Sequence, residues 1–169
     1  MKKTIYGLLI VISCFLLVGC GMKKTAKQAT EDFLNQYKTL SANVIKDLED
    51  VIAKENMEKE HEDKYREVMK KQYRDLKYEI LDETNDGKTA TVKVKIKVYD
   101  LFKVQNEAAI YLNNHMDEFK DKEGLYDNKK YLNYKLDQMK KTTDNVEYTL
   151  NIHLNKDDKG KWKVKELSQ

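Results

Sequence analysis

Residues with the capacity for chemistry are sparse in this 169-residue chain, and their spacing excludes most reactions. The run His61-Glu62-Asp63 joins three metal-ligating types, but consecutive residues on a helix project in different directions and cannot close on one ion. The other two histidines, His115 and His153, lie far along the sequence. No Gly-rich phosphate loop, Gly-x-Ser-x-Gly elbow or His-Glu-x-x-His pair occurs. No catalytic residue, metal or cofactor is therefore expected. Two patterns remain. Tyr78, Tyr148 and Trp162 fall on one face of alternating segments and read either as core or as the wall of a ligand cavity. Lys93, Lys95 and Lys97 on one stretch, and Lys161, Lys163 and Lys165 on the stretch that carries Trp162, alternate with inward residues and read as outward rows. If those stretches are neighbouring strands, six ammonium groups form one patch for anionic polymer or lipid. Otherwise the rows are a solubilising surface offset by Glu79, Glu83 and Glu147.

The two cysteines, Cys14 and Cys20, belong to the chain's opening. Lys2 and Lys3 supply a positive start, Ile5 to Val18 form an almost unbroken apolar run, and Leu17-Val18-Gly19 leads into Cys20. This is the layout of a secretory leader, too short for a stable membrane span. The tetrad Leu17-Val18-Gly19-Cys20 resembles the lipobox of bacterial lipoproteins, which implies cleavage after residue 19 and a diacylglyceryl thioether on Cys20. Residues 1–19 are then the signal peptide, and residues 20–25 the lipidated cysteine with a short tether. No thiol is left for a disulfide, a metal or nucleophilic catalysis. Two acyl chains contribute roughly 0.8 kcal/mol per buried methylene, enough for lasting attachment. The expected address is the outer face of the cell membrane.

Charge looks different once the leader is set aside. Lys2 and Lys3 account for two of the 32 basic residues and no acid is lost, so 30 bases face 29 acids and the net charge falls from +3 to +1. Only Arg66 and Arg74 carry the planar guanidinium suited to base edges and phosphates, so nucleic acid is not an expected partner. The tether from Gly21 to Thr25 reaches at most about 18 Å. Lys23, Lys24 and Lys27 then lie near the headgroups or on a solvated stalk.

The remaining sequence supplies elements to position these residues. Apolar residues at Ala26, Ala29, Phe33, Tyr37, Leu40, Val44, Leu48 and Val51 keep helical spacing, which predicts one long helix or two in line, weakest at Ser41 to Asn43. A charged second helix follows through Met57, Tyr65, Val68, Met69, Tyr73 and Leu76 and is expected to be mostly solvated. The period then becomes two. Leu76, Tyr78 and Ile80, the turn ETNDGKT, and Val92, Val94, Ile96 and Val98 make a β-hairpin. Asp100 is placed to cap a helix carrying Leu101, Val104, Ala108, Leu112, Met116 and Phe119. Gly124 interrupts it, and a short helix follows through Leu132, Leu136 and Met139. Val146 to Leu154, NKDDKG and KWKVKEL then form a second hairpin, with Trp162 and Val164 inward. The fold class is α+β, with N-terminal helices on one face of a curved antiparallel sheet of about four strands. A single domain over residues 26–169 is expected, since 150 residues suit one core.

The lipobox, the long first helix, the segment KYEILDETNDGKTATVKVKIKV and the terminal DKGKWKVKEL resemble small bacterial lipoproteins of the nuclear transport factor two-like, or cystatin-like, superfamily. The likeness covers roughly residues 26–167 and implies a cone of sheet and helices that encloses a pocket or mediates protein contacts. The helical stretch from Asp100 to Thr142 departs from the simplest form of that pattern. Some members are enzymes with inward Asp, His and Tyr groups, but the inward strand positions here are aliphatic or aromatic and carry no catalytic residue across. The expected role is a noncatalytic binding or accessory module for an envelope protein or small ligand. The alternatives are a structural or stress-related accessory binding anionic polymer or lipid, and a small enzyme of the isomerase or hydrolase type.

Overall fold

The structure is a computed structural model and describes residues 24–168, so Cys14, Cys20 and the leader lie outside the described residues. Its first helix, α1 (Ala26–Lys38), begins where Thr25 closes a reciprocal capping box with Gln28, the Thr25 side chain accepting from the Gln28 amide at 3.1 Å and Gln28 accepting from the Thr25 amide at 3.0 Å. The long expected helix divides at its weak point. Leu40 takes a left-handed conformation, φ 51°, and α2 (Ala42–Lys54) starts afresh with the Ser41 side chain at its N-terminus. The new phase buries Ile52, four residues beyond Leu48, while Val51 is only half-buried. A second left-handed residue, Asn56 at φ 53°, precedes α3 (Lys59–Arg74) and leaves Met57 between helices. Helix α3 is less solvated than its composition suggests, since Val68, Met69, His61 and Gln72 are all buried.

The alternating segments form β1 (Lys77–Asn85) and β2 (Thr89–Tyr99), then α4 (Leu101–Asn114), a 3-10 turn (Met116–Phe119) and α5 (Asn128–Lys141) intervene before β3 (Asn145–Lys156) and β4 (Trp162–Ser168). The four strands make one antiparallel sheet in the order β1-β2-β3-β4. This is the α+β class read from the sequence. Two compact units are distinguished. A sheet unit holds residues 24–47, 72–98 and 146–168, and a helical unit holds residues 48–71 and 99–145.

In the sheet unit, Val92, Val94, Ile96, Leu150, Ile152 and Leu154 turn one face inward while α1 contributes Ala26, Ala29, Phe33, Leu34 and Tyr37. Helix α1 packs against both edge strands, β1 and β4, so the sheet curves around it. The direction of α1 is antiparallel to β1. The Lys27 amide donates to Glu83 near the hairpin turn at 3.2 Å, and the Tyr78 hydroxyl donates to Asn35 near the other end at 3.1 Å. Both hairpins turn on an aspartate that accepts backbone amides. Asp86 accepts from Lys88 and Thr89 at 2.8 and 2.7 Å, and Asp157 accepts from Lys159 and Lys161 at 3.0 and 2.9 Å. Gly87 and Gly160 supply the positive φ, 92° and 70°, that each turn requires.

In the helical unit, Asp100 caps α4 as its sequence position predicts, its side chain accepting from the Lys103 amide at 2.9 Å. The helix is shorter than expected. It ends at Asn114, after two asparagines of low helix propensity, and Met116 and Phe119 fall on the 3-10 turn instead. A small loop follows, in which Lys120 bridges Tyr126 and Gly124 takes φ 80°. Asp127 then caps α5, accepting from Lys129 at 2.9 Å and from Lys130 at 3.3 Å.

Candidate binding surface

The strand order decides what the lysine rows become. Strand β3 lies between β2 and β4, so Lys93, Lys95 and Lys97 are not on a strand adjacent to Lys161, Lys163 and Lys165, and the single six-lysine patch does not assemble on neighbouring strands. Lys161 precedes β4, and a bulge between His153 and Leu154 leaves Lys165 as the extra residue, breaking the simple alternation. Within β2, Lys95 stands opposite Glu79 and pairs with it at 2.9 Å. Glu79, with Glu147 adding field, holds the Lys95 ammonium above its ordinary pKa. The Lys95 charge is therefore balanced across the sheet, as one of the two sequence readings has it.

The three aromatic candidates do not converge either. Trp162 pairs with Lys156, eight residues along β3 from Tyr148, a separation of about 26 Å at strand rise. Trp162 is buried, with the Lys156 ammonium 4.6 Å from its ring centroid, so it is core rather than cavity wall. Tyr78 is half-buried, and Lys38 of α1 lies 5.6 Å from its ring centroid. That register does not bring Trp162 to Tyr148.

The helical unit contains a constellation that the sequence reading did not single out. Phe119, 3% exposed, sits edge-on to Tyr111, Tyr131 and Tyr134 at centroid distances of 6.2, 5.8 and 5.6 Å. Tyr111 stacks on Tyr134 at 4.7 Å and on His115 at 4.1 Å. Edge-to-face and offset stacks of this kind each contribute about 0.5–1.5 kcal/mol beyond area burial. Glu118 accepts the Tyr111 hydroxyl at 3.1 and 3.0 Å and also lies 3.3 Å from His115. That hydrogen bond, reinforced by burial and the Glu118 charge, raises the Tyr111 pKa. The result is a stiff aromatic base built from three separate sequence elements.

The same unit also exposes several large apolar side chains. Ile110 is 60% and Leu125 67% exposed, and Met116 and Tyr126 are exposed in the same segment. Of the exposed residues of α4, Phe102, Asn106, Ala109, Ile110, Asn113 and Asn114 carry no charge, and the two charged ones, Lys103 and Glu107, pair with each other. The signal was available in LFKVQNEAAIYLNN, where the apolar residues exceed what one buried stripe requires.

Other features of this unit are structural. Arg66 reaches Glu49 through two bonds of 2.6 and 2.8 Å, raising the Arg66 pKa and lowering that of Glu49. His61 is 2% exposed and its Nε2 has no hydrogen-bond partner among the described residues. No group of three His, Cys, Asp or Glu residues with metal-holding geometry occurs among the described residues. Nor is any described helix long and apolar enough to cross a membrane. The fold defines a class: a small α+β protein with a helical unit that exposes large apolar side chains and a sheet unit packed on its first helix. Comparison with family models, curated proteins and solved structures returned no match for the chain.

Proposed function

We propose that the chain is a lipid-anchored protein of the cell envelope, held on the extracytoplasmic face of the cell membrane through Cys20, and that it works as a noncatalytic binding module for a protein partner. One observation carries the binding role: the exposed Ile110, Met116, Leu125 and Tyr126 in the unit that also holds the stacked cluster of Tyr111, Phe119, Tyr131 and Tyr134. Interfaces draw their affinity from apolar and aromatic anchors held in fixed geometry, where little conformational entropy is lost on binding. The leader and the LVGC tetrad support the anchor. The cystatin-like likeness belongs to the same proposal, supported by a helix lying along a curved antiparallel sheet. The polymer-binding alternative loses its main support because β3 separates the lysine rows and Glu79 pairs Lys95.

The test is photocrosslinking on living cells that produce the full chain. A benzophenone amino acid at Ile110 or Leu125 is expected to yield a discrete protein adduct that the same probe at Lys97 does not. The pair Ile110→Glu and Leu125→Glu, with the probe moved to Met116, should abolish the adduct without lowering Tm. Identical adducts from Ile110, Leu125 and Lys97 would refute the binding surface.

A further inference from the structure

The lipid anchor, if attached at Cys20, enters the fold at one defined end of the sheet unit. Thr25 and Ala26 begin α1, and the Lys27 amide bonds to Glu83, two residues before the end of β1. The β1–β2 turn is therefore at this end. So is the β3–β4 turn, because the Lys156 amide donates to the Lys88 carbonyl at 2.8 Å. Six lysines gather here: Lys24, Lys27, Lys88, Lys156, Lys159 and Lys161, all exposed. The acids at the same end are engaged within it. Asp32 pairs with Lys24, Glu83 accepts from Lys27, and Asp86 and Asp157 accept the backbone amides of the two turns. Asp82 and Asp158 are exposed and acidic as well, so this end is close to neutral overall while presenting its lysine amines to solvent. The first turn of α1 contains no acid, leaving the positive end of its dipole uncompensated from within the helix.

We infer that this turn-bearing end of the sheet unit rests on the anionic headgroups of the membrane that holds the chain. The inference depends on the anchor proposed above. Residues 21–25 reach at most about 18 Å, which confines the start of α1 to the headgroup neighbourhood. The opposite end of the same hairpin, where Lys77 pairs with Lys97, lies eight residues along β1 from Asn85, about 26 Å farther away. That is more than two Debye lengths at physiological salt, so the surface field separates the two ends.

Amine acylation reads this directly, because only the neutral amine reacts and an anionic surface favours the ammonium form. A field of about 1 kcal/mol per lysine lowers the neutral fraction about fivefold. The full chain, produced in bacteria and reconstituted into phosphatidylglycerol or phosphatidylcholine vesicles, is first floated on a density gradient and then acylated, with each lysine read by mass spectrometry. The expected result is flotation with both lipids. On phosphatidylglycerol, Lys88, Lys156 and Lys159 should slow about fivefold relative to Lys77 and Lys97, with little change on phosphatidylcholine. Lys88→Glu with Lys159→Glu should restore reactivity at Lys156 while leaving flotation intact. Failure to float overturns the anchor and this inference together. Flotation with uniform acylation, with equal slowing on both lipids, or with slowing centred on Lys93, Lys95 and Lys97, overturns the orientation alone.

Discussion

Replacing Trp162 by alanine tests how the sheet unit is held together. Trp162 opens β4, is 7% exposed, and has the Lys156 ammonium over its ring. An aromatic of this kind buries about 150–250 Å², and at 25 cal/mol per Å² the lost transfer energy is about 4–6 kcal/mol before allowance for the methyl left behind. Trp-to-Ala changes in cores cost about 3–5 kcal/mol. An edge strand admits water to the vacated space more readily than a central one, which favours the lower part of that range, about 3 kcal/mol. For a chain of this size that is a fall in Tm of roughly 6–12 °C. Urea and thermal denaturation of the detergent-solubilised full chain, followed by far-ultraviolet circular dichroism, measure it. Tryptophan fluorescence cannot report on the variant, since Trp162 is the only tryptophan. Lys156→Ala removes the cation without emptying the core and should cost about 0.5–1 kcal/mol. A Trp162→Ala effect below about 1 kcal/mol, or one no larger than that of Lys156→Ala, would refute burial as the cause.

Three other outcomes are expected. The amides of Thr89 and Lys88 pull the Asp86 pKa down to about 2, so its stabilising contribution is complete above the unfolded carboxylate pKa near 3.9 and is lost as pH falls through about 2. Asp86→Asn should therefore flatten the stability-versus-pH curve between those values, and a parent curve already flat there would contradict the turn geometry. Phe119→Ala should destabilise by about 3–5 kcal/mol by removing the centre of the aromatic cluster, whereas Ile110→Glu should stay within about 0.5 kcal/mol, as urea midpoints will show. Cys20→Ala should leave unlipidated precursor or release the protein from the membrane fraction, and normal processing of that variant would end the lipobox reading.

Much of the architecture is written locally. Period-two runs from Leu76 to Val98 and from Val146 to Leu154 specify strands because side chains of a strand alternate faces, and the Asp-Gly and Asp-Asp-Lys-Gly sequences specify turns through aspartate acceptors and positive φ. Asp100 announces the start of α4 by the same local logic. The proposed leader and lipid anchor at Cys20 likewise rest on sequence alone. What sequence did not determine depends on the meeting of distant segments. Only the strand order places β3 between the lysine rows, and only the bulge in the β3–β4 pairing displaces Lys165. The register of that pair sends Trp162 far from Tyr148. The left-handed residues Leu40 and Asn56 reset the phase of the helices that follow, which periodicity cannot foresee because neither is a glycine. The aromatic base joins Tyr111, Phe119 and Tyr134 from α4, the 3-10 turn and α5, and no spacing rule links them. Local preferences act over a few residues and are visible in one dimension. Pairing, register and side-chain stacking are chosen by whichever arrangement buries the most apolar surface across the whole unit, and that choice exists only in the folded chain.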